Sequence, residues 1–315
     1  MALAGAMNLS RPCGEQESGL SAEAGGLALT GESRLMPITK QAQIQTHSGI
    51  DIKFWSVYMA FTVAGKTFNS HLWVGTGKFD DFKVMEKAHA ASGSEVVTVA
   101  IRRVDSGAQG HIGLMDHIDL NKYWILPNTA GCATPDEAIR VARLSKAMGI
   151  NNWIKLEVIP DPKYLLPDPI ATLEAAKKLV EEDFVVLPYI NADPILAKRL
   201  EEIGCATVMP LASPIGTGQG VKTLENIKII IEQSTIPVVV VAGLGVPSDA
   251  SMVMEVGADC CLVNTAIAKA EDPVKMAEAF KYGVQAGRFA YEAGRIPIKA
   301  FAAASSPLTG IVGKN

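Results

Sequence analysis

The feature that most constrains the fold is an alternation of short apolar runs with longer helical patterns, which is typical of parallel βα units. The predicted strands are residues 72–75, 96–101, 124–126, 153–159, 184–187, 207–211, 238–241 and 260–263. Helical patterns follow these strands, except that irregular sequence follows the second up to Asp119. Eight such units match the (β/α)₈ barrel, which takes about 250 residues.

The alternative is a doubly wound open sheet, which would more often show about six strands and a Gly-x-Gly-x-x-Gly motif after the first. We therefore predict an α/β fold, a single (β/α)₈ barrel over residues 59–310. Residues 1–58 are rich in Gly, Ala, Ser and Gln without a lasting apolar period, so we predict a disordered extension. Residues 311–315 form a short tail.

Charge and cysteine usage argue against several classes of protein. The net charge is −4, from 29 basic and 33 acidic residues, whereas a nucleic-acid binder usually has a clustered basic face. No apolar run approaches the ~20 residues that span a bilayer. The cysteines form no Cys-x-x-Cys pair, and we interpret them as reduced core thiols of a cytoplasmic protein: Cys13, Cys132, Cys205, Cys260 and Cys261.

Histidines give no sign of a metal centre. Their spacing does not match that of metal ligands, so we interpret them as structural or surface residues and predict no metal site: His71, His89, His111 and His117.

Two charged residues share one face of the fourth predicted strand. Side chains alternate along a strand, so Lys155 and Glu157 lie on the face opposite Ile154, Leu156 and Val158. Because the apolar face must pack on the helices, Lys155 and Glu157 are predicted to face the barrel interior. A structural ion pair is one interpretation. We favour a functional role, because buried ion pairs add little net stability.

A lysine amine in that place suits imine formation with a ketone or aldehyde. The amine must be unprotonated to attack, and burial generally favours the uncharged form. Glu157 lies roughly 7 Å along the same face, where an ionised carboxylate would oppose that effect. It is nevertheless a candidate for moving protons at carbons next to the imine.

Glycine-rich segments follow the last three predicted strands, at residues 213–220, 242–245 and 264–266. Barrels often bind phosphate in the loops after strands seven and eight, where glycines let backbone N–H groups approach the oxygens. One such cluster is ordinary in a turn, but three in succession predict a phosphate site. Arg102 and Arg103 are a weaker candidate for binding an anion, with a solvated pair as the alternative.

The sequence from Phe61 to Pro307 resembles bacterial thiazole synthase, an enzyme of thiamine biosynthesis. The motifs that carry the resemblance are GTGK (75–78), LPNTAG (126–131), IKLEV (154–158), LPDP (166–169), ASPIGTGQG (212–220), NTA (264–266), YEAGR (291–295) and ASSP (304–307). So many motifs in one order make the match specific.

The resemblance implies a barrel that condenses 1-deoxy-D-xylulose 5-phosphate, dehydroglycine (the imine of glyoxylate) and sulfur from a thiocarboxylated sulfur carrier protein. It implies no cofactor, a separate enzyme that produces dehydroglycine, and a homo-oligomer. Lys155 matches the family's Schiff-base lysine, and Glu157 matches an acid/base carboxylate. The residues that match the sugar-phosphate site are Gly216, Ala242, Gly243, Asn264 and Thr265.

One position departs from the family pattern. The family usually has Val-Asp-Ala-Gly at the end of the seventh strand, and here Val241 stands in the place of the aspartate. In the family this residue is thought to be a second acid/base group, and loss of such a group commonly costs ~10²–10⁴ in rate.

Three functions follow from these observations. An active thiazole synthase agrees with Lys155, Glu157 and the phosphate loops. A non-catalytic homologue that binds the sulfur carrier or the sugar phosphate is favoured by Val241. An aldolase-type Schiff-base lyase shares the lysine and the phosphate loops but not the family motifs, and ranks last.

Overall fold

The computed structural model describes residues 60–104 and 113–306, and these form ten strands. The predicted extension of residues 1–58, the tail of residues 311–315, Cys13 and His111 lie outside the described residues. The strands are β1 (Phe61–Val63), β2 (Lys66–Phe68), β3 (Leu72–Gly75), β4 (Val96–Ala100), β5 (Trp124–Asn128), β6 (Trp153–Leu156), β7 (Val185–Ile190), β8 (Met209–Pro210), β9 (Val239–Val241) and β10 (Cys260–Val263).

Nine α-helices lie in the same described ranges. They are α1 (Phe82–Ser92), α2 (Ile101–Val104), α3 (Pro135–Ala147), α4 (Pro169–Glu181), α5 (Pro194–Glu202), α6 (Leu224–Gln233), α7 (Pro247–Glu255), α8 (Thr265–Ala268) and α9 (Pro273–Ala293). The stretch predicted to be irregular after the second strand contains α2 and a short 3₁₀ turn at Met115–His117.

Eight parallel strands close into a barrel, which confirms the predicted fold class. Neighbours in the sheet follow the order β8-β7-β6-β5-β4-β3-β10-β9. Isolated parallel bridges join Val208 to Val238 and Leu211 to Val241, which connects β8 to β9 and completes the circle. The carboxyl ends of all eight strands therefore surround one mouth.

The alternation of side chains along each strand produces two apolar layers. On β6, Trp153 belongs to the inner layer, with Leu187 and Val241 from other strands. Ile154 and Leu156 belong to the outer layer, between the barrel and the helices. Because a strand has a period of two, Lys155 falls on the inner face, as the sequence predicts.

A hairpin of β1 and β2 closes the amino-terminal end of the barrel. Ala64 and Gly65 have φ values of +45° and +78°, the left-handed conformation that a two-residue hairpin turn requires. The ring of Phe68 lies 5.7 Å from that of Trp73 and 6.0 Å from that of Trp153, centre to centre. The sequence analysis did not predict this hairpin.

Side-chain caps fix the starts of two helices. Thr134 accepts a hydrogen bond from the N–H of Glu137 at the start of α3, and Asp193 accepts from two N–H groups of α5. In both helices proline follows the cap, where its missing N–H costs no hydrogen bond. These caps place the helix starts near the carboxyl ends of the strands.

Several predicted strand limits are wrong. The third strand continues through Pro127 to Asn128, and the fifth through Pro188 to Ile190. The fourth ends at Leu156 and not at residue 159. The sixth is reduced to Met209–Pro210, with single bridges on either side.

The cysteines in the described ranges are buried and free, in agreement with core thiols: Cys132, Cys205, Cys260 and Cys261. Burial raises the pKa of Cys205 to about 12. No three metal-ligating side chains within residues 60–104 and 113–306 are grouped to hold an ion. No helix in those ranges has the length and apolarity needed to cross a membrane.

His89 makes stability depend on pH. Its ring is 2% exposed and donates from Nε2 to the carbonyl oxygen of Gly75 at 3.0 Å, and burial lowers its pKa. Below pH ~6.5 His89 therefore binds a proton in the unfolded chain, whereas burial keeps the same ring neutral to lower pH in the folded chain. We predict that the free energy of unfolding falls as the pH drops from 7.5 to 5.5.

Urea unfolding of the wild type and of His89→Gln at both pH values tests this. The variant should be less stable at pH 7.5 but lose less stability on acidification. An equal loss in both proteins would contradict the assignment to His89.

Candidate functional site

A cavity of about 780 Å³ opens at the carboxyl ends of the barrel strands. Its walls are the ends of β3 to β7, β9 and β10, together with the loops after β8, β9 and β10. We call it the barrel cavity. Its size lies within the 300–1,000 Å³ typical of small-molecule sites.

Lys155 and Glu157 lie side by side on the wall of the barrel cavity. They are 6% and 5% exposed, and Nζ of Lys155 donates to Oε1 of Glu157. Thr129 fixes the backbone of Glu157, because its hydroxyl accepts from the Glu157 N–H at 2.7 Å and lies 2.8 Å from the Glu157 carbonyl oxygen. The pairing offsets the cost of burying both charges, and it holds the amine next to a proton acceptor.

Asn128 is the neighbour of Lys155 across the β5–β6 pairing. Its Nδ2 donates to the hydroxyl of Thr98 at 2.9 Å, and its Oδ1 accepts from the N–H of Ala130 at 3.1 Å. The Thr98 hydroxyl in turn donates to the carbonyl oxygen of Leu126 at 2.8 Å. These hydrogen bonds fix the orientation of the Asn128 amide, with Nδ2 facing Thr98 and Oδ1 facing Ala130.

The loops after β8 and β9 touch backbone to backbone. A Cβ on Gly243 would lie 1.9 Å from Oγ of Ser213, and one on Gly245 would lie 2.6 Å from the carbonyl oxygen of Gly218. Glycine is required at both positions, since real atoms cannot approach so closely. The contact leaves a backbone-lined surface facing the barrel cavity, as anion-binding loops need.

Strain and an unpaired polar atom mark the same region. Ala242 has φ +57°, a left-handed conformation that costs a residue with a Cβ about 1–2 kcal/mol. In the part of the chain that the structure describes, Oδ1 of Asn264 is buried without a hydrogen-bond partner. Such features concentrate at binding sites.

The structure brings the predicted site residues into one cavity. Those that line it together with Lys155 and Glu157 are Gly216, Ala242, Gly243, Asn264 and Thr265.

Val241 forms an apolar part of the wall. It is 2% exposed and belongs to the inner layer with Leu211, Leu262 and Tyr189. Among the described residues that line the barrel cavity, Glu157 is the one carboxylate. Any acid/base step by a carboxylate from this wall therefore falls to Glu157.

Positive charge exceeds negative charge around the barrel cavity. Among the described residues four cationic side chains line it, namely Lys78, Arg102, Lys155 and Lys269, against the carboxylate of Glu157. Arg102, already a candidate for binding an anion, donates from Nη2 to Oε2 of Glu137 at 3.3 Å. This balance favours anionic ligands.

Sequence reasoning missed three residues of the wall. Thr98, Asn128 and Tyr189 line the barrel cavity, and Nζ of Lys155 lies 5.3 Å from the ring centre of Tyr189. Burial raises the pKa of Tyr189, so it stays a neutral phenol. Strand periodicity could have identified them, because all three lie near strand ends and on the inward face, as Lys155 does.

Comparison with known proteins gives consistent matches. The family described as "Thiazole biosynthesis protein ThiG" matches residues 62–307. The thiazole synthase of Acaryochloris marina is 64% identical over 254 residues, which are 79% of this chain and 92% of that protein. The bifunctional protein ThiO/ThiG of Trichormus variabilis is 61% identical over 256 residues, 79% of this chain and 39% of that protein.

A solved structure is also similar. The Amycolatopsis orientalis BexX/CysO complex contains a chain that is 32% identical, with a TM-score of 0.69. The match covers 76% of this chain and 98% of that one.

The importance of the contact between the loops after β8 and β9 can be measured as a change in the free energy of unfolding. Gly243 and Gly149 have φ values of +72° and +77°, but a Cβ on Gly149 meets nothing within 4 Å. We predict that Gly149→Ala costs roughly 1–2 kcal/mol from its left-handed backbone. Gly243→Ala should cost a further ~1–3 kcal/mol from overpacking against Ser213.

Urea unfolding of the two variants provides the comparison, with Gly149→Ala as the control for backbone strain. Equal losses would show that Ser213 gives way and that the loops need no glycine at position 243.

Proposed function

The chain belongs to the family of thiazole biosynthesis protein ThiG and is a thiazole synthase of thiamine biosynthesis, and we propose that it builds the ring on an imine of Lys155. The ketone that forms this imine is that of 1-deoxy-D-xylulose 5-phosphate. The observation that carries the proposal is a buried primary amine, in contact with a carboxylate, on the wall of a cavity with phosphate-type loops.

Imine formation uses both members of the buried pair. Glu157 takes a proton from the ammonium of Lys155, and the free amine attacks the ketone carbon. The resulting carbinolamine loses water, with Glu157 returning the proton to the departing hydroxyl. Glu157 then accepts protons from the carbons next to the imine. Loss of a proton makes such a carbon nucleophilic, as ring closure requires.

The phosphate is proposed to bind at the loops after β8, β9 and β10. Gly216, Ala242 and Gly243 offer backbone there, and Asn264 and Thr265 add side chains. Backbone N–H groups in consecutive left-handed conformations form a concave surface that suits an anion. Lys155 lies on β6, so the sugar phosphate extends from these loops across the barrel cavity.

The remaining inputs are proposed from family membership. Sulfur comes from the thiocarboxylate of a sulfur carrier protein, which makes the enzyme a sulfur-transferring transferase. The solved BexX/CysO complex contains a chain that is similar to this one, which supports a protein partner, and we place the entry of its thiocarboxylate at the mouth of the barrel cavity as part of the proposal. Dehydroglycine comes from a separate enzyme, and the chain acts as a homo-oligomer.

A catalytically impaired homologue is the second candidate, and Val241 favours it. With Val241 in an apolar wall, Glu157 has no second carboxylate among the described residues of the barrel cavity to share proton transfers. We propose that Glu157 and water carry these steps. The alternative is a chain that binds the sugar phosphate or the carrier without turnover.

The imine step is tested by borohydride trapping with 1-deoxy-D-xylulose 5-phosphate. Hydride reduces an imine to a stable amine, so intact mass should rise by one sugar-phosphate adduct, and peptide mapping should locate it at Lys155. Lys155→Arg is the matched control, because it keeps the charge beside Glu157 but forms no such imine. A folded wild type without an adduct would overturn the assignment.

Val241→Asp separates the two candidates. If Glu157 already carries the proton transfers, thiazole phosphate formation should not rise, and the buried carboxylate should lower stability. The control is Val241→Asn, which has the same shape but no titratable group. A gain of ~10²–10⁴ in turnover with aspartate alone would identify the native chain as impaired.

A further inference from the structure

Arg102 is a cation of the barrel cavity that the proposed chemistry leaves without a role. Lys155 is consumed by the imine. Lys269 pairs with Asp80 at 2.7 Å, and it follows β10, next to the phosphate loops. Lys78 follows β3, the neighbour of β10 in the sheet. Arg102 follows β4, farther round the barrel.

In the closed sheet order Arg102 lies opposite the phosphate loop after β8, and the loops after β9 and β10 follow strands that are three and two positions from β4. In the closed order, β4 is four strands from β8, and β5 is four strands from β9. Arg102 follows β4, and its side chain packs over Gly131 after β5: a Cβ there would lie 3.4 Å from Nη1. Lys155 on β6 lies between the two sides.

The guanidinium is held from one edge. Nη2 lies 3.3 Å from Oε2 of Glu137 and 3.5 Å from Sγ of Cys132. Glu137 is itself fixed, because its Oε2 accepts from the N–H of Ala133 at 2.9 Å. Within residues 60–104 and 113–306 both of these bonds use Nη2, which leaves donors on Nη1 and Nε. The ion pair is solvent-exposed, so it competes weakly with a ligand.

We propose that Arg102 binds the carboxylate of the second small substrate, the imine of glyoxylate. This rests on the proposed function, since that substrate brings a carboxylate which remains in the product. The product then carries a phosphate and a carboxylate at separate ends, and the barrel cavity has donors for anions on opposite sides of Lys155. Either free donor of the guanidinium can give a carboxylate a charge-assisted hydrogen bond, and displacement of the exposed Glu137 contact from Nη2 would add a second, parallel bond.

The experiment measures selectivity for the carboxylate. Thiazole formation is followed with glyoxylate plus ammonium, which form the imine with loss of water, and with glyoxamide plus ammonium, which lacks the charge. Arg102→Gln should raise KM for glyoxylate by about 10–100-fold, the effect of losing a charge-assisted hydrogen bond. The preference for glyoxylate over glyoxamide should fall by the same factor.

Two controls separate this result from other effects. The borohydride adduct at Lys155 and the KM for sugar phosphate should stay within about twofold of wild type, since no phosphate loop follows β4 or either strand next to it. Lys269→Gln, another cation of the cavity, should keep the glyoxylate preference. Arg102→Lys, which keeps the charge but not the guanidinium donors, should give an intermediate loss of the glyoxylate preference. It replaces Arg102→Gln if that variant does not fold.

Two outcomes would overturn the inference. Unchanged selectivity in the folded variants would remove Arg102 from carboxylate binding. A rise in KM for the carrier thiocarboxylate alone would assign it to the carrier tail. If the proposed function itself is wrong, the wild type will give no borohydride adduct, so the two failures can be distinguished.

Discussion

The buried contact between Lys155 and Glu157 is the interaction on which the site depends. A closed parallel barrel turns every second residue of β6 inward, and at Lys155, and at Glu157 directly after β6, the inner face carries charges where apolar side chains would otherwise pack. Removing one partner would leave an unpaired charge in the wall, which is strongly destabilising. Fold stability and the proposed proton transfer therefore depend on the same pair.

Much of the fold could be predicted because the strands are short apolar runs with clear helix starts between them. β3 and β10 have the limits that the sequence predicts. Two of the errors lie at Pro127 and Pro188, where each predicted strand ends one residue before a proline that continues the strand. Proline lacks one donor but adopts an extended backbone compatible with a strand, and the surrounding ladder holds it in place.

The residues that line the barrel cavity were predictable where the proposed chemistry or the backbone conformation suits one residue type in particular. Lysine on an inward position and glycine in successive loops both have few alternative explanations. Asn128 and Thr98 were missed because their importance comes from hydrogen bonds between strands, which pair residues far apart in the chain. Tyr189 was missed for another reason: the predicted strand ends at residue 187, whereas β7 continues to Ile190.

The hairpin of β1 and β2 closes the end of the barrel opposite the mouth. Phe61 and Phe68 pack there with Trp73 and Trp153, so apolar rings fill that end in the part of the chain that the structure describes. The mouth is therefore the side from which a small molecule reaches Lys155. If a sulfur carrier delivers its thiocarboxylate through the same mouth, as proposed above, carrier and sugar phosphate share one entrance and have to use it in turn.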